Sequence, residues 1–358
     1  MEIKKNGSNR LFEADCVKFF AIFFMICIHV YEQLGRYDFS VLPNGMFRNL
    51  MEFAGGPLAA PIFMFTMGIG MIYTRHNTVG EFIKRGFKLL LIGFALNFVR
   101  EAVPKIIGNL AFGMEFSFDE IMGGFLNIDI LEFAGMSFIT VGILKKAKVK
   151  AWAMLLISVV LQAAGIWALK YTFTNIVWGN LLGLLLPTGD RVAFPMFLWL
   201  VYPTAGMVFA EYLKTVKDRA VLYRRMASVG AVVLAAVSVW LCFAGHDIRM
   251  IYALADDSYY HQTVISTLWT MSVVFIALGM SYFMYGKIEN TGFGKFVSFC
   301  SKKLNIIYII QWIIIAYTTA IVTAVGIEGS LSWWGIILVG LAVEAVAIGI
   351  TKIFFRKV

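Results

Sequence analysis

The sequence predicts an all-α fold, a polytopic transmembrane helical bundle of about ten spans with one further short helix. Of its 358 residues, 60% are hydrophobic and 15% are charged, whereas a soluble domain is nearer one-half and about one-quarter. The apolar residues recur along the whole chain in runs of about 20, the length that an α-helix needs to cross a bilayer. These runs lack the two-residue alternation of transmembrane β-strands. A single membrane domain over residues 1–358 is therefore expected.

Ten of the runs are long enough to be predicted spans. They cover residues 14–33, 57–74, 86–103, 128–145, 151–171, 194–213, 225–245, 262–286, 304–326 and 333–355. An eleventh apolar stretch, NIVWGNLLGLLLP at 175–187, falls short of the roughly 20 residues of a span. We expect a short or re-entrant helix there, sealed among its neighbours, with an eleven-span chain as the alternative.

Clusters of basic residues orient the chain in the membrane. They comprise Lys4, Lys5 and Arg10; Arg75, Lys84, Arg85 and Lys88; KKAKVK at 145–150; KTVKDRAVLYRR at 214–225; Lys287, Lys295, Lys302 and Lys303; and Arg356 and Lys357. Ten spans place all of them on one side, which the positive-inside rule makes the cytoplasm, with both termini there. The net charge of +9 is thus explained by topology and by an anionic cytoplasmic partner, and no nucleic acid is expected.

The first apolar run is long, contains Lys18 and lacks a small-residue cleavage site after it. We expect it to stay in the protein as a signal anchor rather than be removed. The simplest location for such a multi-pass chain, in contact with membrane lipids, is a bacterial cytoplasmic membrane. The sequence sets no oligomeric state.

Neither disulfide bonds nor a metal site are expected. Cys16, Cys27, Cys242 and Cys300 show no paired spacing, and the first two lie three turns apart on one predicted helix, too far to bridge. His246, Asp247 and His261 share a predicted outer loop, but their spacing is looser than that of a typical metal site.

The first span, with KFFAIFFMICIH at 18–29, carries a lysine and a histidine on one helix face. Eleven residues amount to three turns plus about 20° and a rise of about 16 Å, roughly half of a ~30 Å hydrocarbon core. Asp15 lies three residues before Lys18 and can pair with it, and Glu32 lies three after His29 and can orient its imidazole. A snorkelling lysine and an interhelical histidine are the alternatives, but ionisable groups inside membrane helices are functional candidates.

This spacing suits a phosphorylated carrier with a long arm. A cation at the cytoplasmic rim can bind phosphate, while a general base about 16 Å deeper can reach the far end of the arm. Acyl-CoA has that shape, with a charged nucleotide head and a pantetheine tail that ends in a thioester. Such a site moves an acyl group across the bilayer without moving the cofactor.

Four stretches resemble the membrane acyltransferase-3 family. Lys18-x10-His29 is similar to its R-x10-H signature, and EFIKRGFKLLLIGF at 81–94 is similar to its F-x-K-R-x-x-R motif. PIFMFTMGIGMIY at 61–73 and LNIIYIIQW at 304–312 resemble its second span and a late span. The stretches GGPLAAPIFMF and FPMFLWLVYPTAG resemble the related heparan-α-glucosaminide N-acetyltransferase group.

The sequence departs from the family pattern at four of these positions. Lysine replaces arginine at Lys18 and Lys88, which keeps the charge but loses the bidentate fork. Met67 stands where the family has serine before the glycine, and Gln311 stands where the late span has histidine.

The resemblance implies a role for each matching residue. It assigns His29 as the catalytic base, and it assigns Lys18, Arg85 and Lys88 to the phosphates of acyl-CoA, with Lys84 adjacent. It also implies an acyl group, often acetyl, that passes from cytoplasmic acyl-CoA to a sugar or lipid acceptor at the outer side. We expect no metal to take part.

For the acceptor, we expect the hydroxyl of a glycan or lipid-linked sugar, with N-acetylation of an amino sugar as the alternative. Trp178, Tyr259 and Tyr260 can stack on a sugar ring, although an interfacial aromatic belt explains them too. Asn97, Asn305 and Gln311 are oxyanion-donor candidates by polarity. An acyl-enzyme on His29 or Cys27 stays open.

Two other classes of function compete with the enzyme. A transporter or flippase is compatible with a short apolar helix, because discontinuous helices mark transporter sites, although no symmetric pair of them is visible. A partner or sensor protein that kept the fold and lost the chemistry is the other alternative.

Overall fold

The computed structural model describes residues 11–38, 42–189, 191–254, 259–327 and 329–355, and in these ranges the chain is helical with no β-strand. The helices are α1 (Phe12–Gln33), α2 (Met46–Gly55), α3 (Ala60–Tyr73), α4 (Val79–Asn97), α5 (Val103–Phe112), α6 (Phe118–Phe125), α7 (Ile130–Lys146), α8 (Ala151–Ala168), α9 (Ile176–Gly183), α10 (Met196–Trp199), α11 (Val201–Thr215), α12 (Arg219–Phe243), α13 (Val264–Tyr285), α14 (Gly292–Lys302), α15 (Leu304–Ala324) and α16 (Trp333–Phe354). A π-helical turn covers Phe98–Ala102, and 3₁₀ turns cover Ile248–Ile251 and Gly286–Ile288. The predictions for Lys4, Lys5, Arg10, Arg356 and Lys357 lie outside the described residues.

Eight helical segments of the described chain are long and apolar enough to cross a membrane. They are Phe12–Gln33, Met46–Tyr73, Ala151–Ala168, Met196–Thr215, Arg219–Phe243, Val264–Ile288, Leu304–Ala324 and Trp333–Phe354. The all-α membrane class is thereby confirmed. The other two predicted spans correspond to α4 and α7, which pack against each other; α7 has 17 residues, and α4 carries Lys84, Arg85 and Lys88 in its first half. The count of ten spans stays a prediction.

The stretch predicted as a short helix forms α9, which has eight residues. Its length is about 12 Å, well short of a ~30 Å core. The chain then returns beside the start of α7, where the Ile128 N–H donates to the Arg191 carbonyl at 3.0 Å and the Ala193 N–H donates to the Ile128 carbonyl at 2.9 Å. These bonds satisfy non-helical backbone inside the bundle and fix the segment that precedes α7.

Two predicted loops contain helices. The 34–56 loop holds α2, and the 104–127 loop holds most of α5 and all of α6. Helix α2 is hard to recognise from sequence because it ends at Gly55 and is followed at once by Gly56 and Pro57, so the helix breaks there before α3 begins. Residues Arg48 and Glu52 of α2 form a buried ion pair at 3.0 Å.

Helix α1 lies in the interior of the bundle. In the 18-residue apolar stretch of α1, 67% is buried inside the protein, compared with 17% in the corresponding stretch of α12. Helix α1 packs against α2, α3 and α13–α16. Ala21, Ile26 and Val30 are completely buried. Lys18 and His29 therefore lie inside the bundle, on a helix that is surrounded by other helices.

Helices α3 and α11 cross with their backbones in contact. A Cβ atom at Gly68 would lie 1.9 Å from the carbonyl oxygen of Pro203, and one at Gly206 would lie 2.0 Å from the carbonyl oxygen of Phe65. Small residues permit such close approach between membrane helices. This crossing holds α3 against the rest of the bundle.

Candidate active site

Two cavities adjoin inside the bundle. The larger, which we call the His29 cavity, has a volume of about 590 Å³ and is lined by His29, Glu32, Arg100 and Asp129 among others. The smaller, the Lys18 cavity, has a volume of about 360 Å³ and is lined by Lys18 among others.

The two cavities share one stretch of wall. Met25, Ile130 and Tyr308 line both of them, and Met25 belongs to α1, between Lys18 and His29. Because α1 is one continuous helix from Phe12 to Gln33, the Lys18–His29 face predicted from spacing runs along both cavities. We call Met25, Ile130 and Tyr308 the shared wall.

His29 is held by the late span. Its Nδ1 atom lies 3.3 Å from Oε1 and 3.2 Å from Nε2 of Gln311, and its ring lies 4.0 Å from the Trp312 ring at an interplanar angle of 30°. No hydrogen bond engages the Nε2 atom of His29 within the described part of the chain. When the Gln311 oxygen accepts from Nδ1–H, the lone pair is on Nε2, the form that a general base requires.

Arg100, which is buried, and Asp129, which is partly buried, form an ion pair beside His29. Asp129 precedes α7 as its N-cap and accepts hydrogen bonds at 2.8 Å from Arg100 Nη2 and from the hydroxyl of Tyr308. The Nε–H of Arg100 donates to Asn97 Oδ1 at 3.1 Å, and Asn97 Nδ2 donates to Glu132 Oε1 at 3.1 Å. The network joins α4, α7 and α15 around the His29 cavity.

Sequence reasoning missed both members of this pair. Arg100 falls near the end of a predicted span, and Asp129 at the start of the next one. Each is an ionisable residue at a predicted membrane border, which favours a role in helix capping or snorkelling. The D-x-x-E pattern of a capping box was visible at Asp129 and Glu132, and the structure forms that box.

Glu32 and two of the three predicted acceptor residues line the His29 cavity. Glu32 accepts a hydrogen bond at 3.5 Å from the hydroxyl of Tyr260, and the described residues show no hydrogen bond from it to His29. Tyr259 is buried and donates to the Gly56 carbonyl at 3.0 Å. Trp178 is 62% exposed on α9 and does not line this cavity.

The Lys18 cavity collects cations from three elements. Lys18 pairs with Asp15 at 3.3 Å, which confirms the predicted contact, and Asp15 also accepts from Ser301 Oγ at 2.7 Å. Arg85 lines the cavity, with its guanidinium 4.4 Å from the Phe138 ring centroid.

The basic residues that line the Lys18 cavity differ from the set predicted to bind phosphate. Lys302 and Lys303, which sequence reasoning used only for topology, line it where α15 begins, whereas Lys84 and Lys88 do not. On a helix, Lys88 lies about 60° and Lys84 about 100° around from Arg85. The predicted α4 cations therefore divide between the cavity wall and the exposed side of the helix.

Of the other nucleophilic and ligand-type residues considered from the sequence, Cys27 and Asp247 line neither cavity. Cys27 is buried, and its Sγ atom lies 2.8 Å from the position of a Cβ at Gly340 in α16; it lines neither cavity. Asp247 forms an ion pair with Arg249, with Nε 2.9 Å from Oδ2, while His261 lines the His29 cavity. Within the described ranges, no group of three or more His, Cys, Asp or Glu side chains has the geometry of a metal site.

An all-helical membrane bundle with a partly buried histidine in one cavity and cations in the next is the kind of structure that the R-x10-H resemblance implies. The family model of the acyltransferase-3 acyltransferase domain matches residues 11–352. The chain therefore belongs to the acyltransferase-3 family and is a membrane acyltransferase. A comparison with curated proteins finds no match.

Proposed function

We propose that this protein transfers an acyl group, with acetyl favoured, from acyl-CoA to a hydroxyl of a glycan or lipid-linked sugar. The nucleotide of acyl-CoA binds in the Lys18 cavity on the cytoplasmic side of a bacterial cytoplasmic membrane, and the acceptor binds in the His29 cavity on the other side. One observation supports this above all: the two cavities adjoin along a single face of α1. The cofactor therefore stays on its own side while its thioester reaches the base.

The Lys18 cavity suits a phosphorylated ligand. Lys18, Arg85 and Lys303 surround it, and charge-assisted bonds from such groups to phosphate oxygens are shorter and stronger than neutral ones. From the Lys18 cavity, the pantetheine arm extends along α1, past the residues of the shared wall, into the His29 cavity. A long, thin, mostly uncharged arm can span the rise of about 16 Å between Lys18 and His29.

The chemistry needs one base. Nε2 of His29 removes the proton of the acceptor hydroxyl while the oxygen attacks the thioester carbonyl. The tetrahedral intermediate then collapses, the C–S bond breaks, and the imidazolium returns the proton to the CoA thiolate. Gln311 holds Nδ1 throughout. Because Cys27 lines neither cavity, direct transfer is favoured over an acyl-cysteine intermediate.

The nucleotide site is tested by calorimetric titration of the purified protein with acetyl-CoA. We expect the Lys18→Ala/Arg85→Ala double variant to bind at least about tenfold more weakly, because two charge-assisted bonds to phosphate are lost. The matched control is Lys84→Ala/Lys88→Ala, which removes the same charge from outside the cavity wall. Equal weakening in both double variants would place the nucleotide along the surface of α4. If the wild-type protein binds neither acetyl-CoA nor CoA, the proposed donor is wrong.

The shared wall gives a second test. Met25→Trp is expected to narrow the passage for the pantetheine arm and to lower acetyl transfer about a hundredfold, the size of effect that misplacing a reacting group by ~1 Å can have. Binding of adenosine 3′,5′-bisphosphate, which has no pantetheine arm, should be unchanged. Met25→Leu conserves volume and should transfer normally. Full activity in Met25→Trp would mean that the arm reaches His29 by another route.

N-acetylation of an amino sugar is the second candidate. The observation that favours it is Glu32, a carboxylate that lines the acceptor cavity and forms no ion pair with any described residue. A protonated amine would pair with it in the bound state, before losing its proton. Parallel assays with amino-sugar and hydroxyl-only acceptors, each with labelled acetyl-CoA, separate the two reactions; label transfer to neither, with transport of substrate, would favour the flippase alternative.

A further inference from the structure

We infer that Arg100 is a catalytic residue of the proposed reaction, with its Nη1 atom donating a hydrogen bond to the thioester carbonyl oxygen as that oxygen becomes negatively charged. The inference rests on the proposed function and adds the oxyanion donor to it. Sequence reasoning nominated other residues for this role, Asn97, Asn305 and Gln311. In the structure, Asn97 is bonded to Arg100, and Gln311 is bonded to His29.

The guanidinium of Arg100 is held by hydrogen bonds from two of its nitrogens, and the third has no hydrogen-bond partner among the described residues. Nε donates to Asn97 and Nη2 donates to Asp129, which fixes the plane of the fork. Nη1 is buried and forms no hydrogen bond with any residue that the structure describes. The side chain is 2% exposed yet lines the His29 cavity. A buried donor without a hydrogen-bond partner is costly, and in the proposed reaction a substrate oxygen that enters the cavity becomes that partner.

The donor lies within reach of the reacting atoms. The Arg100 guanidinium carbon is 4.1 Å from the centroid of the Trp312 ring, and the His29 ring is 4.0 Å from it. Since both distances end on the same side chain, the guanidinium carbon and the imidazole centre lie no more than about 8 Å apart. In the tetrahedral intermediate, the acceptor oxygen near Nε2 and the carbonyl oxygen near Nη1 are bonded to the same carbon atom. Two hydrogen bonds of about 2.9 Å together with the two C–O bonds can span a separation within that limit.

The local fold supports a positioned donor. Arg100 lies in the π-helical turn Phe98–Ala102 that links α4 and α5, and such turns are found frequently at functional sites. The same network holds the turn: Asn97 also donates to the Asn127 carbonyl at 2.7 Å. Asp129 balances the charge of the guanidinium, so that it stays buried without repelling a protonated His29. A donor fixed before the reaction avoids the cost of reorganisation in the transition state.

The step balances without any further reactant. As the acceptor oxygen bonds to the carbonyl carbon, the electron pair of the C=O double bond moves to the carbonyl oxygen, which accepts the Nη1–H hydrogen bond. Arg100 keeps its proton throughout. When the C=O bond re-forms, the thiolate leaves and takes the proton from His29.

The test compares binding of two CoA derivatives by calorimetry. Trifluoroacetonyl-CoA forms a tetrahedral hydrate whose oxygens lie one methylene group beyond the carbonyl position of the thioester, whereas S-propyl-CoA has no such oxygen. We expect the wild-type protein to prefer the first by at least about tenfold, the effect of one charge-assisted hydrogen bond. Arg100→Lys, which keeps the charge but loses the fork, should reduce that preference to about twofold or less.

Two further variants keep the test independent of folding. Arg100→Gln/Asp129→Asn removes both charges together, so no buried charge is left alone, and it too should lose the preference while binding S-propyl-CoA normally. Arg191→Gln removes the other arginine of the His29 cavity, which is 42% exposed and 3.9 Å from Glu101, and should keep the preference. An unchanged preference in the Arg100 variants, or none in the wild-type protein, would overturn the inference. Failure of the wild-type protein to bind either derivative would instead overturn the proposed function.

Discussion

Replacing His29 by alanine is expected to lower acyl transfer by about 10²- to 10⁴-fold, the usual contribution of a general base, while acetyl-CoA binding changes by no more than about twofold. The reason is geometric. His29 lines the proposed acceptor cavity with Nε2 free of hydrogen bonds to the described residues, whereas Lys18, the proposed phosphate-binding cation of α1, lies about 16 Å away along the helix. The measurement uses membrane vesicles supplied with ¹⁴C-acetyl-CoA, with label counted in the extracted glycans and lipids.

Two other histidines serve as controls for this variant. His261→Ala alters the same cavity, and His76→Ala alters an exposed residue 2.8 Å from Glu81. The His76 variant should retain full transfer, and the His261 variant should change the affinity for acceptor more than the maximal rate. If His29→Ala transferred acetyl groups at the wild-type rate, the base would lie elsewhere. If neither the wild-type protein nor the variant transferred label, the partner or sensor alternative would gain support.

The second large effect concerns folding. Gly68→Ala is expected to prevent the close crossing of α3 and α11, because the new methyl group would lie 1.9 Å from a backbone oxygen and cannot be accommodated by turning a side chain. Overpacking costs about 1–3 kcal/mol where side chains can shift, and a clash with backbone costs more. Yield and monodispersity in detergent, followed by thermal unfolding, measure the loss.

Gly70→Ala is the matched control for Gly68→Ala. It lies two residues further along α3, and a Cβ there would meet no atom within 4 Å. It should fold like the wild-type protein. Gly206→Ala, on the other side of the crossing, should fail in the same way as Gly68→Ala. Equal stability of Gly68→Ala and Gly70→Ala would mean that the two helices separate at little cost.

The features that could be predicted from sequence are those set by one helix. The spacing of Lys18 and His29 placed them on one face of α1, and the structure brings that face onto both cavities. The Asp15–Lys18 contact followed from a separation of three residues. The shortness of the 175–187 stretch predicted a helix that cannot span, and α9 has eight residues.

The features that could not be predicted depend on contacts between distant segments. Gln311 is 282 residues from His29, so no local pattern links them, and its polarity suggested an oxyanion donor or interhelical bonding rather than a contact with His29. Glu32 has the right spacing to reach His29, yet its hydrogen bond comes from Tyr260 on another segment. Arg100 belongs to no recognised sequence motif, and its position in a π-helical turn depends on its contacts with Asn97 and Asp129.

The shared wall of Met25, Ile130 and Tyr308 also has an electrical consequence. In the proposed reaction, an acyl group leaves the cytoplasmic thioester and a proton from the acceptor hydroxyl ends on the CoA thiol, so an acylium equivalent moves outward as a proton moves inward. The phosphates of the nucleotide never pass the wall. Turnover would therefore carry no net charge across the bilayer, and the equilibrium of the reaction would not depend on the membrane potential, which acts only on charge that moves through the field.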